Sequence, residues 1–144
     1  MKFYGLESFF FFIVSKKSNQ YNFACMSDKN IADFLAGKPQ HTITLFNDFI
    51  EAFNNIGVIE VHAAKTMIGI SNEHKRIAWV TQLGKSFIHV VFPFKQPYPD
   101  NLCFTKIAQV PGTQQFNHHF RMLYTTDIND EVIHFMKMAY SEEA

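Results

Sequence analysis

The side chains in this sequence that could do chemistry are seven histidines, two cysteines and a set of scattered cations. Imidazoles at helical spacing would bind a metal. Histidines His41, His62, His74, His89, His118, His119 and His134 form neither H-x-x-x-H nor H-E-x-x-H, the spacings that put two rings on one helix face. His118 and His119 are adjacent, so on a strand their rings point to opposite faces. His118 shares its face with Phe116 and Phe120 and reads as a packed, hydrogen-bonded core histidine. His119 shares its face with Asn117 and Arg121 and is the more reactive prospect. Cys25 and Cys103 make no C-x-x-C pair, so they read as reduced thiols of a cytoplasmic protein, with no disulfide and no structural zinc. Nothing next to either thiol would lower its pKa, which argues against cysteine nucleophilic catalysis.

The nucleophile elbow G-x-S-x-G, the Gly-rich phosphate loop and the dinucleotide fingerprint G-x-G-x-x-G are all missing, and no cofactor is expected. Acid–base work by paired carboxylates would need two acids in a cleft. The strand region carries only Glu60, Glu73 and Asp100, all near turns or strand ends. Anion binding is the chemistry that the residue types favour. Lys65, Arg76, His89, His119 and Arg121 are the candidate binding residues, because strand alternation removes them from the core-facing set. Converging cations and imidazoles hold an oxyanion through charge-assisted hydrogen bonds.

The elements that must position them follow from the hydrophobic period. Ser27 or Asp28 can cap a short helix carrying Ile31, Phe34 and Leu35, which Gly37 and Pro39 stop. Thr42 opens a longer helix with Ile43, Phe46, Ile50 and Phe53 on one stripe, ended by Asn54, Asn55 and Gly57. The period then falls to two. Strands are expected at 58–61, 65–71, 76–82, 86–92 and 116–123, with a tight hairpin at Leu83-Gly84. In that hairpin Gln82 would face Lys85 and Ala78 would face His89. Arg76, Ala78, Gln82, Lys85, Phe87 and His89 would then share one face, and Ile77, Trp79, Ile88, Val90 and Phe92 the core. Four prolines between 93 and 112 read as a loop with at most a short strand near Phe104. Thr126 or Asp127 would cap a last helix that buries Ile128, Val132, Phe135, Met136 and Ala139. Strands flanked by helices give an α+β domain: a mostly antiparallel sheet of four to five strands with N- and C-terminal helices on one face.

One such domain suits 144 residues, 47% apolar and with 17 Phe. Zero net charge gives no sign of a nucleic-acid coat, and 47% apolar with 18% charged residues excludes a disordered chain. Charge is nonetheless partitioned. Residues 57–123 carry seven Lys/Arg against three Asp/Glu, whereas residues 26–56 and 124–144 are net acidic. Residues 1–26 read as an extension dispensable to a domain over 27–144. Their apolar run, Phe9 to Val14, is too short for a secretory signal or for the roughly 20 residues of a membrane span.

Ala36-Gly37-Lys38-Pro39, Leu45-Phe46, Ile56-Gly57, Lys65-Thr66-x-Ile68, Arg76-Ile77-Ala78, His119-x-Arg121 and Ala139-Tyr140 together resemble a bacterial family, domain of unknown function 5655. The resemblance spans about residues 27–141. It implies an α+β fold and no particular reaction. Some relatives look as though a Cys-rich zinc knuckle precedes the domain; here only Cys25 stands in that region.

The reading is therefore a non-catalytic binding module. Its basic sheet face would take a small anion, a nucleotide or an acidic protein segment, with nucleic acid a weaker prospect and no membrane involved. The alternatives are an enzyme with His89 or His119 as general base, or a frataxin-like iron handler. The latter would want a carboxylate ridge, and the helix from Thr42 offers only Asp48 and Glu51.

Overall fold

The computed structural model describes residues 30–141. The expected extension over 1–26 and the expected caps Ser27 and Asp28 lie outside the described residues. The first helix, α1 (Ile31–Leu35), is capped by Asn30. The Asn30 side chain accepts from the Asp33 N–H at 3.0 Å, and the Asp33 carboxylate accepts from the Asn30 N–H at 3.0 Å. This reciprocal pair satisfies two otherwise orphaned donors. The second helix, α2 (Gln40–Ile56), buries Leu45, Phe46, Phe49, Ile50 and Phe53 as one stripe.

The strands are β1 (Glu60–Ala63), β2 (Ile68–Ser71), β3 (Arg76–Leu83), β4 (Ile88–Phe94), β5 (Phe104–Gln109) and β6 (Phe116–Met122). They form an antiparallel sheet in the order β1-β2-β3-β4-β6-β5. The last helix, α3 (Asp130–Ser141), begins after a 3-10 turn at Thr125–Asp127. Its first turn is capped by Asn129, whose side chain accepts from the Val132 N–H at 3.0 Å, and not by Thr126 or Asp127. Among the described residues the domain is α+β with six strands, not four to five. The additional strand is β5, where the surrounding prolines masked the alternation.

Ile88, Val90, Phe92 and Phe94 of β4 and His118, Phe120 and Met122 of β6 point into the core beneath α2 and α3. Phe135 of α3 sits 5.8 Å from the Phe94 ring and 4.8 Å from that of Phe104. His118 is fully buried in this aromatic layer, with its ring 5.0 Å from Phe94 and 4.9 Å from Phe104. Its Nδ1–H donates to the Phe116 carbonyl at 2.9 Å, and its Nε2 accepts from the Tyr98 N–H at 3.2 Å. Both ring nitrogens are satisfied, so the expected core histidine stands and its tautomer is fixed.

β3 departs from strict alternation. Ala78 pairs with Ile70 and Arg76 with Ser71, which leaves Ile77 as an extra residue. Val80 pairs with Val90 and Gln82 with His89, which leaves Thr81 as a second one. Each bulge turns the following side chains over. Ala78 is therefore fully buried, and Trp79 emerges on the opposite face, the reverse of the expected assignment. The hairpin is also longer than two residues. Leu83 pairs with Ile88, and the connection closes through the Gly84 N–H donating to the Phe87 carbonyl at 2.8 Å. Gln82 thus faces His89, not Lys85.

Candidate functional site

The sheet face away from α2 and α3 is open among the described residues. The register lays one row of side chains across it: His62, Gly69, Trp79, Val91, His119 and Lys106 are successive partners on β1, β2, β3, β4, β6 and β5. Neighbours in such a row lie about 4.8 Å apart. The adjoining row runs Gln82, His89, Arg121. A corner of two imidazoles and two cations results, made of His89 and His119 with Arg121 and Lys106.

Its geometry is specific. His89 Nε2 and His119 Nδ1 are 3.1 Å apart, so one ring donates its N–H to the lone pair of the other. The rings meet edge to face at 5.2 Å. Burial lowers the pKa of His89 below the usual imidazole value, with the Arg121 charge adding to it. Burial likewise lowers that of His119, with His89, Lys106 and His118 contributing. Both rings are thus biased toward the neutral form, with the Arg121 and Lys106 side chains beside them. The Arg121 guanidinium carbon lies 3.9 Å above the Phe87 ring. That stacking fixes the plane of the guanidinium while leaving its N–H edges outward. Gly84 makes room for this arrangement, since a Cβ there would fall 2.3 Å from the Phe87 ring.

Carboxylates are kept away. Across the six strands the one acidic residue is Glu60, on the edge strand β1. Among the described residues, Arg121 and Lys106 have no Asp or Glu within ion-pair distance. The arrangement can donate several charge-assisted hydrogen bonds to an oxyanion, and its neutral imidazoles can accept a proton.

Of the five expected binding residues, three meet here: His89, His119 and Arg121. Arg76 does not join them. It lies six positions from Gln82 along β3, about 20 Å at strand rise, and it bonds instead to His62 and Ser71. Lys65 is not on a strand. It is exposed in the β1–β2 turn, which the Ala64 N–H closes on the Met67 carbonyl at 2.8 Å. Three β-strand spacings, roughly 14 Å, separate β2 from β6.

Lys106 is absent from the expected set because the sequence supports at most a short strand near Phe104, whereas β5 runs from Phe104 to Gln109. The signal lay in Phe104 and Ile107 facing inward on either side of the bulged Thr105. Trp79 was missed because a bulge cannot be read from alternation alone.

Other reactive groups are committed elsewhere. Burial and the neighbouring Glu131 carboxylate push the Cys103 thiol up to about 12, which leaves it protonated and inert. Asp48 of α2 accepts a hydrogen bond from the Thr125 hydroxyl. Among the described residues no group of three or more His, Cys, Asp and Glu is placed to hold a metal ion, and no helix is long and apolar enough to cross a membrane.

Residues 31–142 match the family model described as domain of unknown function DUF5655. No curated protein and no solved structure matches the chain.

Proposed function

The chain belongs to the DUF5655 family, and we propose that this member is a binding module that takes an oxyanion-bearing ligand on its open sheet face. The observation that carries the reading is that, among the described residues, no carboxylate lies within ion-pair distance of Arg121 or Lys106, beside two hydrogen-bonded imidazoles whose pKa burial lowers. Cations without partners within a protein surface raise the local potential and draw anions to them. A phosphate or carboxylate seated at this corner gains the guanidinium edge, the ammonium and an imidazole N–H, each charge-assisted bond contributing roughly 1.5–3 kcal/mol.

Titration with pyrophosphate, followed by calorimetry at low and high salt, tests it. Binding should weaken with salt, and the Arg121→Gln variant should lose about ten-fold or more in affinity. Salt-independent binding, or equal binding by Arg121→Gln, overturns the reading. The neutral imidazole pair also suits a general base. Turnover of a phosphate ester that is lost in His89→Gln or His119→Gln would move the assignment from binding to catalysis.

A further inference from the structure

The sheet has a notch beside the start of β2. β2 ends its pairing with β3 at Ile68–Val80, whereas β3 runs on to Leu83 and stays paired with β4 through Gln82–His89 and Leu83–Ile88. Among the described residues, Thr81, Gln82 and Leu83 therefore have a neighbouring strand on one side only. Two features stop β2 there. The β1–β2 turn closes on the Met67 carbonyl, directly before Ile68. Thr81 is the bulged residue of β3, and a bulge bends its strand and terminates pairing.

The unpaired length opens into a cleft of about 440 Å3. Thr81, Gln82 and Leu83 all line it, and the last β2–β3 pair, Ile68 and Val80, lines it too. Successive side chains of a strand point to opposite faces, so three consecutive residues share one cleft through the edge of their strand. Among the described residues, no backbone group outside the β3–β4 ladder bonds to these three. A strand edge with free N–H and C=O groups is a template for one more extended chain.

The walls hold a cation in place beside that edge. Phe34, Ala36 and Lys38 line the cleft from α1 and the turn that follows it, and Thr66 lines it from the β1–β2 turn. Gly37, at φ +77°, takes the left-handed conformation that glycine tolerates. The Lys38 N–H then donates to the Leu35 carbonyl at 3.1 Å, which fixes the turn. Among the described residues, Lys38 has no Asp or Glu within ion-pair distance. Asp33 also lines the cleft, but its carboxylate already accepts the Asn30 N–H at 3.0 Å. An unpaired ammonium next to an unpaired strand edge suits a carboxylate carried on an extended main chain.

We propose that this cleft docks an acidic, extended segment of a partner protein, which adds to the edge of β3 in line with β2. Its main chain pairs with residues 81–83, a length of about 10 Å. A carboxylate on it meets the Lys38 ammonium, and an apolar side chain lies against Ile68 and Phe34. In strand addition the main-chain hydrogen bonds supply affinity and alternate side chains supply specificity. The site is separate from the anion corner, since His89, His119 and Arg121 lie on the β4 side of β3 and the notch on its β2 side.

The test begins with a phage-displayed random heptapeptide library selected on the immobilised full chain. The strongest recovered peptide is then synthesised and titrated by amide NMR. Selection should recover peptides that carry Asp or Glu and lack Pro, and the chosen peptide should shift the amides of residues 81–83 to saturation. Lys38→Gln should weaken its binding by about ten-fold, while Arg121→Gln leaves it unchanged. Replacing the acid of the peptide by its amide should cost as much against the wild type and nothing further against Lys38→Gln, the mark of a direct pair. Failure to recover any peptide above background would overturn the proposal. So would shifts that leave residues 81–83 unmoved, or wild-type affinity in Lys38→Gln.

Discussion

The histidines of β4 and β6 divide by face, and the division sets their pH behaviour. His118 lies in the aromatic core with one nitrogen donating and the other accepting. Protonation would put a second N–H against the Tyr98 N–H, and burial already lowers its pKa, although the bond to the Phe116 carbonyl pulls the other way. His89 and His119 are lowered for the same first cause. A base whose folded pKa lies below its unfolded value of 6.5 takes up its proton first in the unfolded chain. Stability from these groups is therefore complete above about pH 6.5 and is lost as pH falls below it. Urea unfolding should show a free energy that declines from about pH 7.5 to pH 5, by at most about 1.4 kcal/mol per pH unit for each proton taken up. A flat or rising curve over that interval would show that the three rings are not held neutral. A second expectation concerns Cys103. Its raised pKa should keep it unreactive to a thiol reagent at pH 8 in the folded chain, and fast labelling there would contradict its burial beside Glu131.

Between elements, the contact that most directly joins a helix to the site is polar. Thr42, fully buried in the first turn of α2, donates its hydroxyl to the Gly84 carbonyl at 2.6 Å. It thereby anchors the β3–β4 connection whose Phe87 carries Arg121. Thr42→Val should cost about 1–3 kcal/mol, because the Gly84 carbonyl loses its donor, and Thr42→Ser should recover most of it. Equal stability of the valine variant and the wild type in denaturant melts would remove this contact from the account. The elements themselves were largely legible. The 3.6 period of α2 and α3, and the alternation of Ile88, Val90 and Phe92, are set by burial against one face and so appear in sequence. What was not legible depends on neighbours. Trp79 and Ala78 exchange faces because Ile77 is an extra residue against β2, and no local residue type announces that bulge. β5 was hidden by Pro99 and Pro111 on either side, and β4 runs through Pro93, which lies past the last β3–β4 pair. The candidate site suffered accordingly. His89, His119 and Arg121 follow from alternation on adjacent strands, whereas Lys106 required β5 and the separation of Arg76 required the register.

Across the molecule, the described residues 30–141 already enclose a continuous core, from Ile31 of α1 to Ala139 of α3. A chain beginning at Met26 should therefore melt within a few degrees of the full one. A fall of more than about 8 °C, on the order of 1–2 kcal/mol for a domain of this size, would mean that residues 1–25 contribute to that core. Charge is divided at the same scale, with Lys106 and Arg121 on the open face of the sheet and Asp130 and Glu131 opening α3, a division that supports the proposed anion site on that face. The proposed binding would be linked to protonation. An anion at the corner would stabilise the imidazolium forms of His89 and His119, which burial first, and then the Arg121 and Lys106 charges, disfavour. The most direct measurement is an NMR titration of the His89 and His119 ring protons against pH, with and without saturating pyrophosphate. Both pKa values should start below the ordinary value of 6.5 and rise on addition of the anion, with a smaller rise in Arg121→Gln. Identical titration curves with and without pyrophosphate would contradict anion binding at this corner.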